Sequence, residues 1–405
     1  MLLKLAWRNI WRNTRRTVIS VLALALGVTA IVCIHSFQEV AYEAMIRGVT
    51  SGLIGQAQVH GRGYQESPEM SNVVPDAVAV EARLKGAVPG TQTERRVLGA
   101  GLAGSGDVST AVMVMGIEPQ KPGARALLTI EKGHGLDQSP AHEVVVGDGL
   151  ARELDLAPGG ELILVGQAAD GSLANDRFTV AGTADAGSFD MNATAVFLQL
   201  ADAQSFFALG QGIHQVIVRL PTDEEDLSHP VSLLRGALDL SALEVLPWTD
   251  ILPELKGAID AKRRNTRAID LIVFLIVALG ILNTMTMSTF ERTREFGVMA
   301  SLGTRRRRIL AMVLLEALLQ GLIGFAAGFA LAWALFHAVG TADISGLAGN
   351  TDVLGARLPG ALRLSVDSGS VALAGIVTVL TMLAGGLLPA IRASRLRPVE
   401  ATRYV

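Results

Sequence analysis

Cysteine is almost absent from this 405-residue chain: Cys33 is the only one. A lone thiol excludes an internal disulfide framework and any cysteine-based zinc site. A lipoprotein processing site would want a small residue just before the cysteine, and Val32 stands there, so Cys33 reads as a packed thiol inside a helix. No Gly-Lys dipeptide occurs either, which excludes a Walker A phosphate loop. If ATP drives this protein, another polypeptide supplies the site. His142-Glu143 lacks a second histidine four residues on, so no zincin site forms, and no G-x-S-x-G nucleophile elbow is present. Gly99, Gly101 and Gly104 imitate a dinucleotide fingerprint, but strand-like residues 112–115 follow where a helix should begin. The three glycines read as a flexible hairpin connection. The seven histidines are scattered and are expected on solvated surfaces.

What the chain has in abundance is apolar sequence. Hydrophobic residues make up 50% of it, and the mean hydropathy is +0.40. They concentrate in four blocks: residues 17–37, 271–290, 309–339 and 371–388. The first holds no charged residue and would extend about 31 Å as a helix, enough to cross the bilayer core. The first block is longer than a signal-peptide core and has no convincing small-x-small cleavage pattern behind it. The third exceeds the need and is expected to tilt or emerge early.

Charge is sorted along the chain. Residues 39–262 hold 15 Lys/Arg against 30 Asp/Glu, while the remainder holds 20 against 8. Basic residues precede the first block (Lys4, Arg8, Arg12, Arg15, Arg16), fill residues 291–308 and follow the last block (Arg392, Arg395, Arg397, Arg403). Excess Lys/Arg beside a span marks the cytoplasmic side. Four spans put all three basic segments on one side, with both termini inside. Arg263, Arg264 and Arg267 dissent, but long domains translocate largely regardless of charge.

The expected layout is a cytoplasmic amphipathic segment (1–16), a first span (17–37), a periplasmic α/β domain (38–268) and a second span (269–290). A cytoplasmic loop (291–308), a third span (309–338), a periplasmic loop (339–369), a fourth span (370–389) and a cytoplasmic tail (390–405) follow. Within the outer domain, short β-branched or apolar runs at 56–59, 111–117, 144–146, 162–165, 195–198 and 216–220 read as strands. Residues 76–85 and 201–209 read as helices. EVVVGDGLARELDLAPGGELILV reads as strand, helix, glycine-rich turn, strand. A hairpin between 162–165 and 178–180 would carry a polar tip over 166–177, either solvated or docking a partner.

The loop ERTREFGVMASLGTRRRRIL is patterned as well as basic. Phe296, Val298, Met299 and Leu302 recur at helical spacing, and Gly303 stands where a helix would close. The apolar side of such a helix needs cover, from the lipid surface or from a cytoplasmic protein. Glu316, two turns into the third span, is costly there and by default a functional candidate; snorkelling to the cytoplasmic interface or pairing with an arginine of the preceding loop is the favoured account. Gly321, Gly324 and Gly328 thin one face of the same helix for close packing, either internal or between copies. Asn283, Thr284, Met285, Thr286, Met287 and Ser288 make the second span more polar than lipid contact requires.

LAWRNIWRNTRRT at the start, ERTREFGVMASLGTRRRRIL after the second span and LLPAIRASRLRPVEATRYV at the end carry a resemblance. The chain resembles an ABC-transporter permease of the MacB/FtsX-like superfamily, nearest the lipoprotein-releasing LolC/LolE branch. That resemblance implies an α-helical membrane protein with four transmembrane helices and a large mixed α/β periplasmic domain inserted between helices 1 and 2, in the bacterial inner membrane. It implies no enzyme activity and no cofactor in this chain, with ATP and Mg bound by a partner ATPase. It assigns ATPase coupling to Glu291, Arg292, Arg294, Glu295, Phe296, Gly297, Val298, Met299, Leu302, Gly303 and Arg305. It further implies a second permease copy or paralogue, membrane lipids around it, and a periplasmic lipoprotein carrier docking near Gly166, Leu173, Asn175 and Asp176. Phe37, Tyr42, Met45 and Phe274 would offer apolar surface to a substrate's acyl chains. The fused-ATPase form of MacB-type pumps is not expected, since the sequence begins just before its first basic helix. An FtsX-like signalling permease, or efflux with a separate ATPase, stands as the alternative.

Overall fold

The computed structural model describes residues 2–12, 14–222, 226–339, 352–353, 356–357 and 368–395. Most of the segment 339–369, expected as a periplasmic loop, and the tail beyond 395 lie outside the described residues, as do the side chains of Met45 and Arg263. The chain divides into two units, one helical (1–42, 259–347, 360–405) and one α/β (43–258, 348–359). The helices are α1 (Leu2–Arg12), α2 (Thr14–Gly48), α3 (Ala77–Ala87), α4 (Pro122–Leu127), α5 (Asp148–Glu153), α6 (Phe189–Thr194), α7 (Leu200–Phe206), α8 (Ser228–Ala237) and α9 (Trp248–Ile251). They continue with α10 (Pro253–Glu291), α11 (Thr293–Ser301), α12 (Arg306–Val339) and α13 (Ser368–Arg395).

Among the described residues four helices, α2, α10, α12 and α13, are long and apolar enough to cross a membrane. The first two outrun the apolar blocks that mark them in the sequence. Charge ends a membrane span, but only a breaker ends a helix. After Phe37 the chain runs on through Gln, Glu, Ala and Met, all good helix formers, and the α-helix stops at Gly48. Likewise α10 opens at Pro253, a residue suited to a first turn, and carries eighteen largely polar residues before the apolar block at 271. The α/β unit is therefore shorter at both ends than the expected 38–268.

Within the helical unit, Leu24, Val28, Ile31 and Val32 of α2, Ile281 and Met285 of α10, Ala317 and Ala332 of α12, and Met382 of α13 form the core. The glycines of α12 decide how close its neighbours come. A Cβ at Gly328 would stand 2.5 Å from the Ala25 carbonyl oxygen, and one at Gly324 would run into Leu24. A Cβ at Gly321 would meet Met382 at 2.5 Å. Thr29 Oγ1, on α2, donates to the Gly328 carbonyl oxygen at 3.0 Å. The G-x-x-x-G spacing thus serves packing inside one chain.

Among the described residues the main sheet of the α/β unit has ten strands, β1 (Ala57–Gly61), β2 (Gln92–Ser105), β3 (Val108–Ile117), β4 (Thr129–Gly133), β5 (Glu143–Gly147), β6 (Glu161–Gln167), β7 (Leu173–Asp185), β8 (Ala195–Gln199), β9 (Gln215–Arg219) and β10 (Leu243–Pro247), and Asp352–Val353 pairs with Ala356–Arg357 in a separate ribbon. Their order is β10-β1-β9-β2-β3-β8-β5-β7-β4, with β6 bridging β2 and β7. The β3–β8 and β5–β7 pairs are parallel and the others antiparallel, a mixed sheet. The strand–helix–turn–strand reading of residues 143–165 appears as β5, α5 and β6. Gly99, Gly101 and Gly104 are not a flexible connection: all three lie in β2, paired with β3. Glycine is required there by proximity, since a Cβ at Gly101 would stand 2.6 Å from the Val165 carbonyl oxygen and one at Gly99 would enter the Phe207 ring. Only Gly106 and Asp107 turn the hairpin.

Candidate functional site

The helix α10 breaks at Arg292, whose amide reaches the Thr289 carbonyl oxygen at 3.3 Å before α11 begins. At the far end the Gly303 amide reaches the Ala300 carbonyl oxygen (3.1 Å) and the Thr304 amide reaches that of Met299 (3.0 Å), with Gly303 at φ +82°. This is a Schellman stop, which needs the left-handed residue that glycine supplies at least cost. The inner face of α11 is locked down. Phe296 is 1% exposed and packs with Ile309, Met312 and Val313 of α12 and Ala390 and Ala393 of α13, with Met299 at the margin. The Arg292 guanidinium lies over the Phe296 ring, 5.2 Å from its centre.

A chain of charges fixes the same face. Arg12 of α1 pairs with Glu295 at 2.6 Å, Glu295 with Arg292 at 3.2 Å, and Arg292 with Glu316 of α12 at 2.8 Å. Glu316 thus has an arginine of the preceding loop as partner. Both ends of that last pair are buried, where breaking it would strand a charge. The spacing of Arg292 and Glu295 was visible in the sequence, and so was an arginine partner for Glu316; which arginine of the loop it would be, 24 residues away, was not.

The outer face presents something different. Glu291, Arg294, Val298, Ser301, Leu302 and Arg305 are exposed and follow one another at helical spacing, with Glu295 at the edge between the two faces. Val298 and Leu302 are one turn apart and 47% and 80% exposed, an apolar pair ringed by charge. The four apolar residues that the sequence groups together are therefore divided, Phe296 and Met299 inward, Val298 and Leu302 outward. Gly297 is buried on the inner side.

Of the four residues expected to meet acyl chains, the three whose side chains are described differ in exposure. Phe37 is 49% exposed, Phe274 is half-buried and Tyr42 is buried. Met45 is on α2, with its side chain outside the described residues. Two polar links between α2 and α10, absent from the sequence reading, stand nearby: His35 Nε2 meets Asp270 at 2.8 Å, and Thr266 Oγ1 donates to Gln38 Oε1 at 2.7 Å. Below them α10 is bare. Only 11% of its most apolar window is buried, against 39%, 39% and 33% for the other three spans. Ile276, Leu279, Asn283, Met287 and Phe290 form an exposed stripe along it.

In the α/β unit, the hairpin tip is shorter than expected. β6 and β7 pair from Glu161↔Thr179 to Gln167↔Leu173, so Gly166, Asn175 and Asp176 lie within strands rather than in a loop. Gly166 also pairs with Gly101 of β2. The tip is 168–172, closed by the Ala168 amide on the Ser172 carbonyl oxygen at 2.9 Å and by Asp170, which accepts from the Ser172 amide and hydroxyl. Those two donors hold the Asp170 carboxyl below its usual range. Leu173, at the start of β7, is 74% exposed.

Where the chain leaves α2 for the sheet, a buried cluster grips it. Glu94 Oε1 and Oε2 hold Arg96 (3.0 Å) and Arg219 (3.0 Å). Those guanidiniums donate to the carbonyl oxygens of Gly52 and Leu53, and of Ser51 and Gly52. The next strand, β1, pairs with β10, which leads through α9 to α10. So the two strands adjoining the spanning helices are neighbours in the sheet. On β1, His60 is fully buried between Gln58 Oε1 (2.7 Å) and Glu244 (3.6 Å), with Tyr64 and His214 stacked beyond it. Burial pushes His60 down to about 4, against the pull of Glu244.

Residues 17–228 match the MacB-like periplasmic core domain and residues 268–398 the FtsX-like permease C-terminal domain. The chain is 21% identical over 418 residues to the lipoprotein-releasing system transmembrane protein LolC of Neisseria meningitidis, covering 96% of this chain and 94% of LolC. It is 26% identical over 426 residues to the macrolide export ATP-binding/permease protein MacB of Chlorobium luteolum, covering 98% of this chain but 59% of MacB. Among solved structures, the periplasmic region of MacB from Actinobacillus actinomycetemcomitans is similar at a TM-score of 0.37 and 16% identity, over 52% of this chain and 95% of that one. This chain belongs to the MacB/FtsX-like superfamily of ABC transporter permeases.

Proposed function

We propose that this protein is the permease subunit of a transporter that extracts or exports a lipid-linked or amphipathic substrate, with lipoprotein release from the bacterial inner membrane as its task. The observation that carries the coupling half of this reading is the two-faced α11. Its inner face is fixed to α12 and α13, and its outer face offers Val298 and Leu302 to a partner. A cytoplasmic ATPase, binding ATP and Mg, would seat that pair in a groove, so its movement reaches α12 through Phe296 and the Arg292–Glu316 bond. The chain itself would supply no catalytic group.

The bare stripe on α10 supports a second permease copy or paralogue facing α2 and α10, with the substrate's acyl chains entering between them. Motion of α2 and α10 would reach the outer domain through the clamp on residues 51–53 and the β1–β10 pair, a mechanical relay. Coverage of LolC nearly end to end favours release, and Leu173 beside the hairpin tip would then face a periplasmic carrier. Efflux is the second reading, favoured by the 26% identity to MacB over 98% of this chain.

Replacing Val298 with Asp tests the coupling half. An unpaired charge in a dry contact costs several kcal/mol, while in the free permease Val298 is half-exposed and the fold is untouched. The expected result is normal insertion with loss of ATPase co-purification and of transport-coupled hydrolysis. Undiminished association would remove the assignment.

A further inference from the structure

We propose that α1, α12 and α13 form a binding site for an anionic phospholipid, on the end of the helical unit that carries α11. Two cavities meet there. One, about 400 Å³, lies between α1 and α12 and is lined by Leu3, Lys4, Trp7 and Arg8 with Leu319. The other, about 460 Å³, runs between α12 and α13 past Leu318, Leu322, Phe325, Val379 and Met382, and Leu319 lines it too. Leu319 is the shared wall, so a basic cleft opens beside an apolar groove.

Their depths match a lipid. The Arg292–Glu316 bond marks the level at which polar groups are still tolerated, and Leu319 lies one turn beyond it. The groove continues from Leu318 to Phe325, about 10 Å farther along the helix at 1.5 Å per residue. Lys4 and Arg8 therefore sit at the rim and the groove beneath it. Trp7 and Trp11, both 46% exposed, stand beside the basic pair, where indoles favour the boundary between headgroups and hydrocarbon.

The occupant follows from what each part leaves unmet. Among the described residues no carboxylate pairs with Lys4 or Arg8, and the nearby Glu295 and Glu316 are taken by Arg12 and Arg292. Two free cations at the rim call for a negative headgroup. The groove offers one hydroxyl, Thr378, and it is spent on the Ala374 carbonyl oxygen, so only hydrocarbon suits it. Leu322 (64% exposed) and Val379 (48% exposed) need such cover. A second copy of the chain could cover the groove, but an apolar helix would leave Lys4 and Arg8 without counter-charge.

The test is native mass spectrometry of the full chain released from nanodiscs containing equal phosphatidylglycerol and phosphatidylcholine. Retained phosphatidylglycerol should exceed phosphatidylcholine roughly thirtyfold, the scale expected of two basic residues at a lipid surface. The double variant Lys4→Gln/Arg8→Gln should equalise the two lipids. Leu322→Trp, which fills the groove and leaves the rim charges in place, should lower retention of both. Equal retention by the parent chain, or a preference that survives Lys4→Gln/Arg8→Gln, overturns the proposal. So does a cysteine at Leu322 that crosslinks two copies while lipid retention in Leu322→Trp is unchanged, which would make the groove a contact between copies.

Discussion

Two helices of the same bundle, α12 and α10, treat their small and polar residues in opposite ways. On α12, Gly321, Gly324 and Gly328 are filled against by Met382, Leu24 and the Ala25 carbonyl, and Glu316 is bonded to Arg292. On α10, a Cβ at Gly280 would meet nothing within 4 Å, and Asn283 is exposed. One helix has its requirements met within the chain. The other presents them outward. Conformationally unusual residues on a spanning helix therefore report either on folding or on assembly, and the neighbours decide which.

The largest effect expected from breaking this contrast is at Gly328. Gly328→Leu forces a side chain into the Ala25 carbonyl 2.5 Å from its Cβ and against Val28. Backbone cannot yield as a flexible side chain can, so α2 and α12 must separate and the core around Val28 and Ala332 opens. Overpacking of this kind costs on the order of 1–3 kcal/mol or more. Gly328→Leu should elute as aggregate or melt well below the parent in detergent. Gly280→Leu should melt with the parent, and any loss should appear only in the association of copies. If the two variants behave alike, the division between the helices is wrong.

The same logic explains what could be read in advance. The spans, the strand–helix–strand unit at 143–165 and the helical stop at Gly303 are local, set by hydropathy, periodicity and turn chemistry, and the sequence states them. What it could not state depends on distant partners. Gly99 and Gly101 look like punctuation, yet they are strand residues made obligatory by Phe207 and Val165. Residues 173–177 look like loop because they are polar, yet β6 supplies their partners. The apolar residues of α11 share a periodicity, but only the positions of Ile309 and Ala393 reveal that Phe296 is structural and Val298 is free. The Arg96–Glu94–Arg219 cluster left no local trace, because its ligands are carbonyls 40 and more residues away.

His60 gives an intermediate effect and a second yardstick, since it is a polar side chain with no outlet at all. Its pKa falls from 6.5 to about 4 in the folded chain because burial disfavours the charged ring, with Glu244 pulling the other way and His214, itself lowered, adding a like charge. A base held below its unfolded value contributes stability that is complete above pH 6.5. Between pH 6.5 and 4 the unfolded chain takes up a proton that the folded chain refuses, so stability falls as pH falls. The shift corresponds to roughly 3 kcal/mol at 1.36 kcal/mol per unit. Thermal melts of the parent should drop steeply across that window. His60→Gln, which cannot titrate, should flatten the drop even if it melts lower overall, and an unchanged slope would show that other groups govern the acid response.

The smallest effect belongs to Asn283, and it bears most directly on what the open helix is for. Its amide carries two donors and an acceptor, and it is exposed, with no hydrogen bond to it among the described residues. In Asn283→Leu the folded chain loses no bond, so its melting point should hold, as exposed substitutions usually change stability by about 0.5 kcal/mol or less. If the stripe from Ile276 to Phe290 meets a second copy, the amide bonds across the interface instead. Interhelical bonds of that kind average about 0.6 kcal/mol in membranes, a factor of about three in dissociation constant. Dimer affinity measured by dilution in lipid should therefore weaken about threefold in Asn283→Leu and stay unchanged in Leu322→Ala, which lines the groove between α12 and α13. Were Asn283 to line a water-filled cavity, association would be unaffected and a cysteine at Asn283 would react with a water-soluble thiol reagent. That result would keep α10 open to substrate but take the second copy off this stripe.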